Sequence, residues 1–453
     1  MQHKLKLLIN FIFLFAILLF GAYTIRSHSI AETRQKRVKE LKAISASDSL
    51  STELHLLQML DKKDFFRVEA LLQEKRSELS PHIVLYLEAN LQNAFNQTEQ
   101  SLRTIDKLLG NYSKSLNDAL LHRVFVIKYD NLFKQYRYSQ AAEALKIAID
   151  KYGYVVDSVW LDMLRGEYYN FVKAVKEFPA QKMHITTDVS IPVSLNQYNH
   201  MIINVSSGGQ SENFIFDTGA SNVISESSAR RMGIRMLNSE ASTTGAVDKK
   251  VQLKVGLADQ LWIGDLMFEN VVFKIMPDES LSFPQANYVI HGMIGFPVMN
   301  QMKKIEICKN KSITVVTHPQ KCNSRNLFLD FAMPIVQLEA NRDTLLFVLD
   351  TGANTSKFSA NYFAAHTDEI KEKGTLKNIR RGGIGGSVDN EVYELKNVPL
   401  KIGGQEMTVP TINVLTDKLS FLANYDGHLG QDVLMHFDKL TLNFRDMYLS
   451  FDE

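Results

Sequence analysis

Residues 214–225 read FIFDTGASNVIS, and residues 346–359 read LFVLDTGANTSKFS. In both stretches an apolar run carries the chain into Asp-Thr-Gly-Ala, and an asparagine follows within two residues. A single Asp-Thr-Gly is a common turn sequence, because an aspartate readily bonds its own backbone two residues on. Here, however, Asp350 follows Asp217 by 133 residues, and a second element keeps step with the first. Gly295 in MIGFPVM lies 78 residues after Asp217, and Gly430 in HLGQDVLMHF lies 80 after Asp350. A strand-like run follows each, KKIEI and then DKLTLNF. Two elements in one order at nearly one separation imply two copies of a supersecondary unit.

The surroundings are β-rich. HITTDVSIPVSL, HMIINVSS and ENFIFD alternate apolar and β-branched residues, with Gly208-Gly209 as a hairpin signal between two of them. We therefore expect an all-β domain with two lobes, 184–322 and 323–453. Upstream, residues 52–175 read as helix after helix, with few glycines and one proline, Pro81. DFFRVEALLQE, NQTEQSLRTIDKLL and YRYSQAAEALKIAID share a turn-then-helix shape. Their small-residue anchors Ala70, Ser101 and Ala142 lie 31 and 41 residues apart, near the period of paired-helix repeats. An all-α domain over 31–180 is expected. It loosely resembles degenerate tetratricopeptide repeats, with an irregular bundle as the alternative, and either form offers a surface for a protein partner.

The chain of 453 residues is 45% hydrophobic and 22% charged, which suits several globular domains. A net charge of +1 gives no electrostatic footprint for nucleic acid. Cys308 and Cys322 are the only cysteines and form no CxxC, so no metal site is expected. They are either a single disulfide or two free thiols. Residues Leu7 to Ile25 hold 19 positions without a charge, preceded by Lys4 and Lys6, which is enough for a membrane-crossing helix. Residues 1–30 are thus expected to be an uncleaved transmembrane anchor, a secretory signal being the alternative, with the catalytic domain on the extracytoplasmic side. The basic residues after the span, from Arg26 to Lys42, argue for the opposite orientation.

The repeated motif has a specific chemistry. A strand delivers each aspartate to a tight turn, the glycine lets backbone approach closely, and the threonine hydroxyl can tie two turns together. If the copies pack about a pseudo-twofold axis, Asp217 and Asp350 face each other. Two carboxylates at about 3 Å cannot both ionise cheaply, so they share a proton. One then acts as general base on a water while the other, protonated, polarises a carbonyl. No cofactor is needed.

At these residues the chain resembles aspartic proteases of the retroviral type, with both Asp-Thr-Gly copies in one chain. The resemblance spans residues 187–453. It implies peptide-bond hydrolysis, with Asp217 and Asp350 as catalytic dyad, Thr218 and Thr351 as interlocking hydroxyls, and Gly219 and Gly352 lining the cleft. RRGGIGGSVDNEVYEL, with Gly382, Gly383, Gly385 and Gly386, resembles the glycine-rich flap of those enzymes. A phosphate-cradling loop is a poorer reading, because the segment leads into an alternating strand. The matching place in the first copy, TTGAVDKKVQLKV, has only Gly245. Ile224, Ile384 and Val388 are candidates for lining subsites. Pepsin-like enzymes carry a hydroxyl residue three positions after the aspartate, where this chain has Ala220 and Ala353, so a milder pH optimum is expected. Lys357, matched by offset to Ile224, reads as a solvated surface residue. His428 reads as a strand-end residue, with modulation of the dyad as its sharper alternative. The competing function is a catalytically silent peptide-binding protein on a protease scaffold.

Overall fold

The computed structural model describes residues 48–452 apart from 245–249, 285–286, 310–311, 320–321, 323 and 384–385. The expected anchor, Leu7 to Ile25, lies outside the described residues, as do Gly245, Ile384 and Gly385. Among the described residues no helix is long and apolar enough to cross a membrane.

A helical region is followed by a β-rich domain, and the chain forms two compact units that divide after Val84. In the first unit, helices Asp48–Asp61 and Phe65–Lys75 bury Leu56, Met59, Leu60, Phe65, Val68 and Leu72. Between them Lys63 takes a left-handed conformation, and the Asp64 N–H reaches back to the Met59 carbonyl. The same turn recurs at Asn96, between Pro81–Ala94 and Thr98–Tyr112, and at Tyr136, between Asp118–Lys134 and Tyr138–Tyr152. These are the three turn-then-helix signals. Ser101 is buried, donating to the Ala89 carbonyl and accepting from the Asn131 amide, and Ala142 is buried too. Ala70, read as the third anchor, is instead exposed, because Phe65, Val68 and Leu72 set the inward face of its helix. Residues 158–175 continue as one helix containing a π turn at Leu164–Tyr169.

The β-rich domain is built twice over. Strand Met201–Ser207 turns through Gly208 and Gly209, both at positive φ, into Gln210–Phe216. A Cβ at Gly208 would meet the Met232 carbonyl oxygen at 2.8 Å, so glycine is required there for conformation and for space. Gly292–Ile294 runs parallel to Gln210–Phe216 and antiparallel to Val223–Ser225, which in turn runs parallel to Leu266–Met276. The second sheet repeats this order. Gly427–Leu429 is parallel to Asp343–Leu349 and antiparallel to Lys357–Phe358, which is parallel to Gln405–Leu415. Long hairpins, Arg235–Thr244 with Lys250–Ile263 and Thr375–Gly383 with Gly386–Ile402, stand at equivalent places.

A third sheet joins the copies. Its five strands run in the order Val189–Pro192, Ser312–Val315, Lys304–Cys308, Lys439–Asn443, Tyr448–Asp452. The runs after Gly295 and Gly430 thus become antiparallel neighbours, with Ile305 opposite Leu442 and Ile307 opposite Leu440. Cys308 lies in this seam and Cys322 lies beside Ser324, both as free thiols.

Candidate active site

Each Asp-Thr-Gly loop begins where a parallel strand pair ends. The Asp217 N–H donates to the Ile294 carbonyl at 3.0 Å, and the Asp350 N–H donates to the Leu429 carbonyl at 3.0 Å. Beyond the turns the two glycine elements return. The Gly295 N–H bonds the Asn222 side chain, and the Gly430 N–H bonds the Ser356 hydroxyl. Neither position tolerates a side chain, since a Cβ on Gly295 would sit 2.2 Å from the Ala220 carbonyl oxygen.

Across the interface the loops exchange hydrogen bonds. The Thr218 N–H donates to Thr351 Oγ1 at 2.9 Å, and the Thr351 N–H donates to Thr218 Oγ1 at 3.0 Å. Each hydroxyl also donates onward, Thr218 to the Leu349 carbonyl and Thr351 to the Phe216 carbonyl. Both threonines are fully buried. The two glycines then underlie the opposite carboxylates. A Cβ on Gly352 would lie 2.3 Å from Asp217 Oδ2, and one on Gly219 would lie 3.0 Å from Asp350 Cγ. Asp217 and Asp350 are therefore neighbours, each with its Oδ1 held by the N–H two residues on, from Gly219 at 2.8 Å and from Gly352 at 3.0 Å.

Burial, and after it the charge of Asp350, pushes the Asp217 carboxyl well above the usual carboxylate range. Burial also raises Asp350, but the Gly352 N–H and the positive charge of Lys357 oppose the rise. The two carboxyls form one coupled pair in which burial pushes both above the usual carboxylate range, so the pair holds a proton between them. Such a pair can present a base and an acid to one substrate.

The cleft floor follows from register. In the first half Ile215, two residues before Asp217, shares a sheet face with Met293, Val223, Lys274 and Val255, each the cross-strand partner of the one before. The same row in the second half is Val348, His428, Lys357, Asn413 and Glu394. Lys357 therefore corresponds to Val223. The offset match to Ile224 fails because the second loop is one residue longer, and Ile224 itself is fully buried on the opposite face. Lys357 is half-buried on the row beside Asp350, not a solvated surface residue, with its Nζ 3.1 Å from Thr355 Oγ1. His428 is buried, its Nε2 lies 2.9 Å from the Thr355 carbonyl, and Phe421 stacks on its ring. Burial and the Lys357 charge push the imidazole down to about 3, so it is neutral with its hydrogen on Nε2. Val388 is exposed on the second hairpin. That hairpin pairs Gly382 with Ser387 and Gly383 with Gly386, and a Cβ on Gly382 would meet open space.

The first half's row is covered. The helix over residues 158–175 lays Leu164, Phe171, Val172 and Val175 into one buried cluster with Ile215, Val223, Val255 and Met293. Lys274 Nζ sits 5.5 Å from the centre of the Phe171 ring. The helix is tied to the first hairpin by Glu167 to Thr244 and by the Asn170 amide to the Glu240 carbonyl. Tyr168 packs in a tilted arrangement at 4.9 Å against Phe331, a turn residue of the second half's first hairpin. Sequence reasoning missed this strap and Lys274. Their signals were present: the aromatic density of Trp160, Tyr168, Tyr169 and Phe171, and a lone charge in the apolar run VVFKIM.

Residues 203–298 match an aspartyl protease family, which supports a protease-like scaffold around Asp217. Comparison with curated proteins finds no match to the chain.

Proposed function

We propose that this protein is an aspartic endopeptidase in which Asp217 and Asp350 together activate a water for attack on a peptide carbonyl. The supporting observation is the reciprocal threonine exchange, which holds two buried carboxyls side by side. The ionised aspartate of the pair takes the proton from the attacking water. The other aspartate, protonated, donates to the carbonyl oxygen as charge builds there. The hairpins after residues 235 and 375 serve as flaps, with Gly382, Gly383 and Gly386 on the second presenting backbone to an extended peptide. Residues 1–30 serve as a membrane anchor with the catalytic domain outside the cytoplasm, and the helical region offers a docking surface for a protein partner.

The test is cleavage of a peptide library from about pH 3 to 8 by the full chain and by Asp217→Asn and Asp350→Asn. Loss of cleavage in both variants supports the dyad. With Ala220 and Ala353 in place of a hydroxyl residue, the optimum lies well above that of pepsin-like enzymes. A rate maximum at about pH 2 would contradict this. One observation favours the second reading, a peptide-binding protein without turnover: the strap over the first half of the cleft. Peptide binding with no cleavage by either wild type or a strap-weakened variant would establish it.

A further inference from the structure

We propose that Lys357 makes the subsite beside Asp350 a receptor for a substrate carboxylate. This inference rests on the peptidase reading above and adds the class of substrate. The two halves of the cleft floor are related residue by residue, and beside the aspartates they differ at one pair of neighbours. Where the first half sets Val223 against Met293, the second sets Lys357 against His428. An apolar side chain suits the first pair, while the second presents a cation with a neutral, buried ring packed beside it.

Three features turn that cation toward a ligand. Lys357 shares its sheet face with Val348, two residues before Asp350, so its side chain rises on the side where the carboxyls lie. Among the described residues no carboxylate lies within ion-pair distance of its Nζ, which donates instead to the hydroxyl and carbonyl of Thr355, at 3.1 and 3.4 Å. His428 cannot compete for an anion, because its Nε2–H is committed to the Thr355 carbonyl. The ammonium keeps donors free, since it has three hydrogens and no acceptor capacity. At longer range Lys357 feels the carboxylates of Asp350 and Asp432, and Arg381 on the second hairpin opposes them with a positive charge that reaches His428 too. The helix over residues 158–175 covers the first half's row, where Lys274 Nζ lies against the Phe171 ring, so the Lys357 side is the one we assign to selecting a substrate side chain. A carboxylate there arises from an Asp or Glu side chain or from a chain terminus.

The experiment is cleavage of proteome-derived peptides by the full chain, Lys357→Met and Lys357→Glu, read as the ratio of kcat/KM for matched Glu and Gln peptides. That ratio is internal to each variant, so an altered Asp350 titration cancels. Wild type is expected to favour Glu at least tenfold. The ratio should fall to near unity in Lys357→Met and turn toward Lys-containing peptides in Lys357→Glu. Running free and amidated C-termini separates the two sources: a Lys357-dependent preference for Glu over Gln that survives amidation belongs to a side chain, and a Lys357-dependent preference for the free over the amidated peptide belongs to the terminus. Dyad-dependent cleavage with the Glu/Gln and free/amidated ratios both unchanged in the two variants overturns the inference and leaves the peptidase reading standing. No cleavage by any form, with the strap weakened, overturns both.

Discussion

Thr218→Val is the sharpest probe of how the two copies are held together. Valine keeps the branched shape but removes a hydroxyl that accepts from the Thr351 N–H and donates to the Leu349 carbonyl. Both partners are buried, and each buried polar group left unpaired costs about 1–3 kcal/mol. The substitution therefore destabilises by roughly 2–6 kcal/mol, read as a fall in melting temperature of at least about 4 °C. Because the same bonds set where Asp217 and Asp350 meet, peptide turnover should drop by about a hundredfold, the usual consequence of misplacing a reacting group by about 1 Å. Thr218→Ser restores the hydroxyl and should recover most of both losses, leaving a deficit of about 0.8 kcal/mol for the missing methyl. The measurement is a thermal melt of the full chain with peptide cleavage in parallel. A valine variant that melts with wild type, or a serine variant that falls as far as valine, would refute the reasoning.

Gly352→Ala should cost more than Gly219→Ala, since the new methyl meets Asp217 Oδ2 at 2.3 Å in one case and Asp350 Cγ at 3.0 Å in the other. Overpacking of about 1–3 kcal/mol and near-complete loss of cleavage are expected for the first, and the reverse order of loss would refute it. Asp217→Asn should raise the melting temperature at pH 7 and change it less at pH 4. The folded carboxyl is raised, so it keeps a proton that the unfolded chain releases above its ordinary range, and stability falls as pH climbs through that interval. Asparagine carries no such penalty, and equal effects at the two pH values would contradict the assignment. Phe171→Ala, which removes a ring packed against the first half's floor at a cost of about 3–5 kcal/mol, should free the strap and increase cleavage. Unchanged or slower cleavage, with the circular dichroism spectrum intact, would show that the helix does not obstruct the cleft.

Much of this site was legible as pattern. The doubled Asp-Thr-Gly and the matched glycines announced two copies of one unit, because a turn that brings backbone against backbone admits no other residue at Gly295 or Gly430. The helical turns at Asn96 and Tyr136 were equally plain, since apolar periodicity and local turn chemistry are written along the chain. What register decides was not legible. One extra residue in the second loop moves Lys357 from the place of Ile224 to that of Val223, and with a side-chain period of two that shift carries it from the far face to the cleft.

By itself, then, the sequence determined the motifs, their repetition and the change from helix to strand, all of which are local. Only the tertiary structure decided which surfaces meet. It set the threonine exchange across 133 residues, zipped KKIEI against DKLTLNF, and laid the helix over residues 158–175 across the first half of the floor. Those outcomes depend on complementary faces far apart in the chain, and burial rewards them without leaving a local signature.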